Sequence, residues 1–150
     1  MKLLIETVFV GLYTQCIYFL LRIIFLQLPI HIHSININIQ IFVVGFLKHF
    51  LGYYTGIQSY YCNHYGPYDY FNKTQNQYKS AFPKNLIILS LLEGFGFVFI
   101  ASFFINFLQI IRVERKYNNL YIILFLVGAT LHLLAEITGI HKYFITNYCN

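Results

Sequence analysis

The stretch that decides the fold is Phe42–Tyr61, FVVGFLKHFLGYYTGIQSYY, because the chain writes it a second time at Phe125–Phe144 as FLVGATLHLLAEITGIHKYF. A shift of 83 positions superposes the two without a gap. Nine of the twenty positions are then identical: Phe42/Phe125, Val44/Val127, Gly45/Gly128, His49/His132, Leu51/Leu134, Thr55/Thr138, Gly56/Gly139, Ile57/Ile140 and Tyr60/Tyr143. Biased composition produces chance matches among apolar residues, but it does not favour shared Gly, His and Thr-Gly-Ile. We read a duplicated unit.

The 150 residues leave room for one domain, and with 58% hydrophobic and 10% charged residues and a mean hydropathy of +0.60 that domain is not a soluble one. A spanning helix needs roughly 20 mostly apolar residues to cross about 30 Å of hydrocarbon. Four stretches qualify: Leu3–Leu26, Ile39–Tyr61, Leu86–Ile111 and Leu120–Ile140. The first is read as an uncleaved helix, since Glu6, Thr14 and Gln15 interrupt it and no small-x-small cleavage site follows. The expected fold is an all-α integral membrane domain over residues 1–150, with four transmembrane helices arranged as two tandem helical hairpins. Half one is 1–61, a polar loop covers 62–85, and half two is 86–150. Two spans per half give the halves the same orientation, hence a pseudo-twofold axis along the membrane normal. The net charge of +5 is spread over loops, so the partner implied is the lipid bilayer rather than nucleic acid.

Between the first two spans, Ile30-His31-Ile32-His33 and Ile35–Ile41 alternate apolar and polar residues, the pattern of a half-buried strand. An unpaired strand belongs at the interface or against another chain, and this connector is therefore where a homo-oligomer is expected to form. His31 and His33 alone make a poor metal site. Arg22 sits close enough to the end of the first span to snorkel to the headgroups. Mid-helix Cys16 reads as core packing.

On a helical period Gly45, His49, Gly52, Gly56 and Tyr60 share one stripe, and Gly52 and Gly56 form a G-x-x-x-G pair. The copy repeats it as Gly128, His132, Ala135, Gly139 and Tyr143. Small residues mark helix contacts in lipid, so both histidines are expected to face into the bundle. Lys48 lies beside the stripe, and Leu131 replaces it in the copy. Glu93 echoes Glu6 loosely, at an offset of 87 rather than 83. Ionisable groups cost roughly 2.5 kcal/mol or more at mid-membrane, so Glu6, His49, Glu93, His132 and Glu136 need a reason. Three are open. The histidines can hydrogen-bond across the bundle and fix helix register. Imidazoles and carboxylates can titrate in turn along a proton or ion path. Or His49 and His132 can ligate haem from both sides, or join Glu93 and Glu136 around a metal ion.

The chain has no C-x-x-C pair, phosphate-binding glycine loop, G-x-S-x-G elbow or H-E-x-x-H zinc motif, so the residues point away from enzymatic chemistry. Lysines and arginines near the spans almost balance between the two sides. Cys62 and Cys149 each follow a repeat helix on the side of the long loop and both termini, where they are placed to form a disulfide, and the sequon Asn72-Lys73-Thr74 shares that side. Long loop and termini are thus expected lumenal or exoplasmic, and Arg112–Lys116 cytoplasmic. A cytosolic thiol pair fits the same spacing.

The run from Gly45 to Asn63, GFLKHFLGYYTGIQSYYCN, resembles a segment of small multi-span membrane proteins encoded by nucleocytoplasmic large DNA viruses. The resemblance implies a viral membrane protein of the virion's inner membrane or of host membranes recruited for assembly. It carries over no activity and no catalytic residue. The function expected is structural or assembly work in a membrane, with cofactor binding (haem or metal) or proton handling by the paired histidines as the alternative.

Overall fold

In hydrocarbon no water can satisfy a backbone amide, so an apolar run closes its own N–H and C=O groups as a helix. A computed structural model of the chain describes residues 2–27, 35–57, 85–110 and 120–143, and all the regular structure among them is helical. The four long helices are α1 (Lys2–Leu26), α2 (Ile37–Tyr54), α3 (Leu86–Ile110) and α4 (Leu120–Ile137). Three of them contain segments long and apolar enough to cross a membrane: Leu3–Phe25, Leu86–Leu108 and Leu120–Ile137. The chain is a membrane protein by that measure. The apolar run of α2 is diluted by Asn38, Gln40, Lys48 and His49.

The alternating stretch before α2 is where the strand expectation fails. Residues 28–34, with His31 and His33, lie outside the described residues, but from Ile37 onward the chain is helical. The reason is local. Asn36 caps the helix, its side chain accepting from Asn38 N at 2.9 Å and its carbonyl from the amides of Ile39 and Gln40. Gln40 Nε2 donates back to the Ile35 carbonyl at 2.8 Å. Packing then decides against period two, because Ile41 and Val44, three apart, are both fully buried.

The duplicated Thr-Gly-Ile is a helix stop. Thr55 N and Thr138 N donate to the carbonyls of Leu51 and Leu134, and Gly56 and Gly139 follow with φ of +77° and +75°. Only glycine takes that left-handed conformation without strain, which is why each helix ends at the same letters.

The closest pairs are α2 with α3 and α1 with α4, while α3 with α4 and α1 with α2 touch less. Contacts run in opposite directions along each tight pair, so the partners are antiparallel: Gly45 meets Phe97 where His49 meets Glu93, and Tyr18 meets Tyr121 where Thr14 meets Gly128. Glycine makes the approach close. A Cβ at Gly45 would fall 2.6 Å from the Phe97 ring, and one at Gly128 would strike Thr14 Oγ1. Gly11 faces Phe125 at 2.7 Å and Gly94 faces Phe42 at 2.9 Å by the same measure. At Gly52, Gly56 and Gly139 a Cβ would meet no heavy atom within 4 Å among the described residues. The tight end of the expected stripe is therefore Gly45/Gly128, joined by Gly11 and Gly94 on the facing helices.

The core is one cluster of Ile17, Tyr18, Ile41, Val44, Phe97, Ala101, Ile123, Leu124 and Val127. Two hydroxyls near it bond back within their own helices, Thr14 to the Val10 carbonyl and Ser102 to the Val98 carbonyl, each at 2.8 Å. The outside is as apolar as the inside. Phe95, Phe99, Phe103 and Phe107, spaced four apart, line the exposed face of α3, a surface that suits acyl chains and not water. Cys16 belongs to this outer face: it is exposed, not packed in the core as its position suggested, because the inward positions of α1 are Val10, Thr14, Ile17 and Tyr18.

Gly45→Ala and Gly128→Ala should each destabilise the protein by about 2 kcal/mol through overpacking. Gly52→Ala, whose Cβ would meet no heavy atom within 4 Å among the described residues, should be neutral or slightly stabilising because it removes a helix-interior glycine. Denaturant titration of the detergent-solubilised protein followed by circular dichroism measures all three.

Candidate functional site

Two polar clusters occupy the end of the bundle where α2 and α4 finish and α1 and α3 begin. In the first, Lys48 and His49 are neighbours on α2 and both reach the one carboxylate of α3. Lys48 Nζ forms an ion pair with Glu93 Oε1, and His49 Nδ1 lies 2.8 Å from Glu93 Oε2. Each carboxylate oxygen thus has its own partner. All three side chains are less than a fifth exposed. Phe97, one turn beyond Glu93, completes the arrangement. Its ring fills the notch at Gly45 and lies 5.6 Å below Lys48 Nζ.

The second cluster is built on α4 and the turn after it. His132 is 4% exposed, and Glu136 follows one helical turn later. The left-handed Gly139 ends that helix and a further turn brings His141 back, with Tyr143 N bonded to the Gly139 carbonyl. His141 Nδ1 lies 2.5 Å from Glu136 Oε1, and the His132 and His141 rings are 4.9 Å apart at 57°. One ligand atom from each of His132, Glu136 and His141 falls within 4.8 Å of the others.

The five ionisable residues singled out in the sequence thus separate. Glu93 joins His49, Glu136 joins His132, and Glu6 sits half-buried near the start of α1, outside both clusters. Sequence reading passed over Lys48 as a bystander, although it is an ion-pair partner, and it omitted His141. The spacing H-x-x-x-E-x-x-x-x-H, broken by a glycine, carries the signal for the latter. Cys62 and Cys149 lie outside the described residues. Toward the opposite end, Tyr121 gathers α1: its carbonyl accepts from Gln15 Nε2 at 3.0 Å, its ring packs edge-on to Tyr18, and its hydroxyl accepts from Arg22 at 3.5 Å. Arg22 also lies 5.8 Å over that ring, so the guanidinium is held by the bundle.

No protein-family model, curated protein or solved structure matches the chain.

The chemistry of the first cluster is that of a clip. Lys48 and His49 are mostly buried on α2, and Glu93 makes them a bridge between helices. Glu93→Val alone should cost about 3 kcal/mol by stranding Lys48. The double variant Lys48→Leu/Glu93→Val, which substitutes the pair found 83 positions away at Leu131 and Val10, should recover most of that loss. Thermal unfolding in detergent of the single and double variants tests the coupling.

Proposed function

We propose that the chain is a four-span integral membrane protein, built from two tandem helical hairpins related by a pseudo-twofold axis, that serves as a structural or assembly component of a membrane. The observation that carries the reading is the recurrence of contacts at the sequence offset. Gly11 faces Phe125 and Gly94 faces Phe42, so each partner of one contact lies 83 residues from its counterpart in the other. Gly45 faces Phe97 and Gly128 faces Thr14, again 83 apart on both sides. The buried pairs Ile41/Leu124 and Val44/Val127 and the turn glycines Gly56/Gly139 keep the same spacing. This register sets Val10, not Glu6, opposite Glu93, and it extends the repeat to α1 and α3, where sequence identity alone is thin.

A fourth span is supported by the pairing of Lys48 and His49 with Glu93, which removes much of the penalty for carrying α2 across. A structural role is supported by where the polar groups go: they tie helix to helix and turn to helix. The resemblance of residues 45–63 to viral membrane proteins supports a virion membrane, or a host membrane used in assembly, as the location, and association of several copies there fits an assembly component. The basic Arg112–Lys116 connector supports a cytoplasmic side for that end, with 62–85 and both termini lumenal or exoplasmic.

Span number and sidedness are tested together. In sealed vesicles, epitope tags at the two termini should be protected or cleaved alike if α2 crosses. Opposite protection would leave three spans. An impermeant thiol reagent applied to intact cells should label Cys62 and Cys149, directly or after reduction, if that side is exoplasmic. Exposed but lipid-facing Cys16 should stay unlabelled.

A further inference from the structure

We propose that His132, Glu136 and His141 form a binding site for one divalent transition-metal ion, of which Zn2+ is the reference case. The cluster is local to α4 and its following turn, and it holds whether or not α2 crosses the bilayer.

Three features carry it. The first is donor geometry. Four-coordinate Zn2+ with bonds of about 2.0–2.2 Å sets its ligand atoms about 3.5 Å apart. The donors here already lie within 4.8 Å, so side-chain rotation closes the site without moving the backbone. The second is the way the chain assembles them. His132 and Glu136 share one helical face at a spacing of four, and the left-handed Gly139 turns the chain so that a third donor returns to the same place. Without an ion, the 2.5 Å contact between His141 and Glu136 already holds two donors on one side. The third is electrostatic. The site sits at the C-terminal end of α4, the negative end of the helix dipole, which favours a cation.

The donor set also selects. Two imidazoles and one carboxylate suit Zn2+, Co2+ or Ni2+ and fall short of the oxygen shell that Ca2+ and Mg2+ require. His132 is nearly buried while the His141 and Glu136 side chains are 28% and 30% exposed, so an ion enters from the turn and keeps a coordination position open on that side. The first half of the chain supplies a built-in comparison. His49 matches His132, but Tyr53 and Gln58 stand where Glu136 and His141 stand, and neither is a common metal ligand.

The test is calorimetric titration of ZnCl2 into chelator-treated full-length protein in detergent, with the three cysteines replaced by serine so that thiolates cannot contribute. One Zn2+ per chain is expected. Glu136→Gln and His141→Asn should each weaken binding by more than about 100-fold, and His49→Asn should bind as the parent does. Absence of stoichiometric Zn2+ in the parent, full binding by the Glu136 and His141 variants, or loss of binding in His49→Asn would overturn the site. Should a ligand variant fail to fold, zinc-edge X-ray absorption of the parent decides instead. Two imidazoles and one carboxylate are expected, and an all-oxygen shell overturns the assignment.

Discussion

Close approach of helix to helix over glycine is the constraint on which the bundle depends. Oil gives no hydrophobic reason for apolar helices to associate, since lipid tails solvate leucine and phenylalanine as well as another helix does. What remains is van der Waals contact, and contact requires that one surface be notched where the other protrudes. Gly45 receives the ring of Phe97, Gly94 that of Phe42 and Gly11 that of Phe125, while Gly128 admits Thr14. The two tight pairs, α2 with α3 and α1 with α4, are the two that own these notches. The electrostatic clip follows from the same contact, because the ring that fills the Gly45 notch is the one beneath Lys48, one turn from Glu93.

The matching histidines of α2 and α4 have different partners. On α2, the histidine and the lysine beside it look outward from their own helix to a carboxylate on α3. On α4, the equivalent histidine turns to a carboxylate and an imidazole on its own helix and the turn after it. The shared histidine is thus a common position with two sets of neighbours. At an offset of 83 the residues around them differ: Lys48 against Leu131, Val10 against Glu93, Tyr53 against Glu136 and Gln58 against His141.

Much of the architecture was readable in the amino-acid order because apolar length is a strong signal. The first, third and fourth helices begin and end within a few residues of their apolar runs. The stretch before α2 was not, because alternation over Ile35–Ile41 imitates a strand, and only the Asn36 cap and the burial of Ile41 and Val44 tip it to helix. The G-x-x-x-G at Gly52 and Gly56 was read as a contact. Gly56 takes the left-handed conformation that follows the end of α2, and a Cβ at Gly52 would meet no heavy atom within 4 Å among the described residues. The site was half legible. Histidines and glutamates stood out as costly residues in oil, but the partner of His49 depends on how α2 and α3 are rotated against each other, and that of His132 on the turn at Gly139.

The pairing of Lys48 and His49 with Glu93 also bears on how the protein is made. The carboxylate lies 45 residues downstream of the lysine and 44 downstream of the histidine. Lys48 and His49 are therefore made before the carboxylate that answers them. The clip between α2 and α3 can close only once both helices exist, so until then α2 carries Lys48 and His49 without their carboxylate.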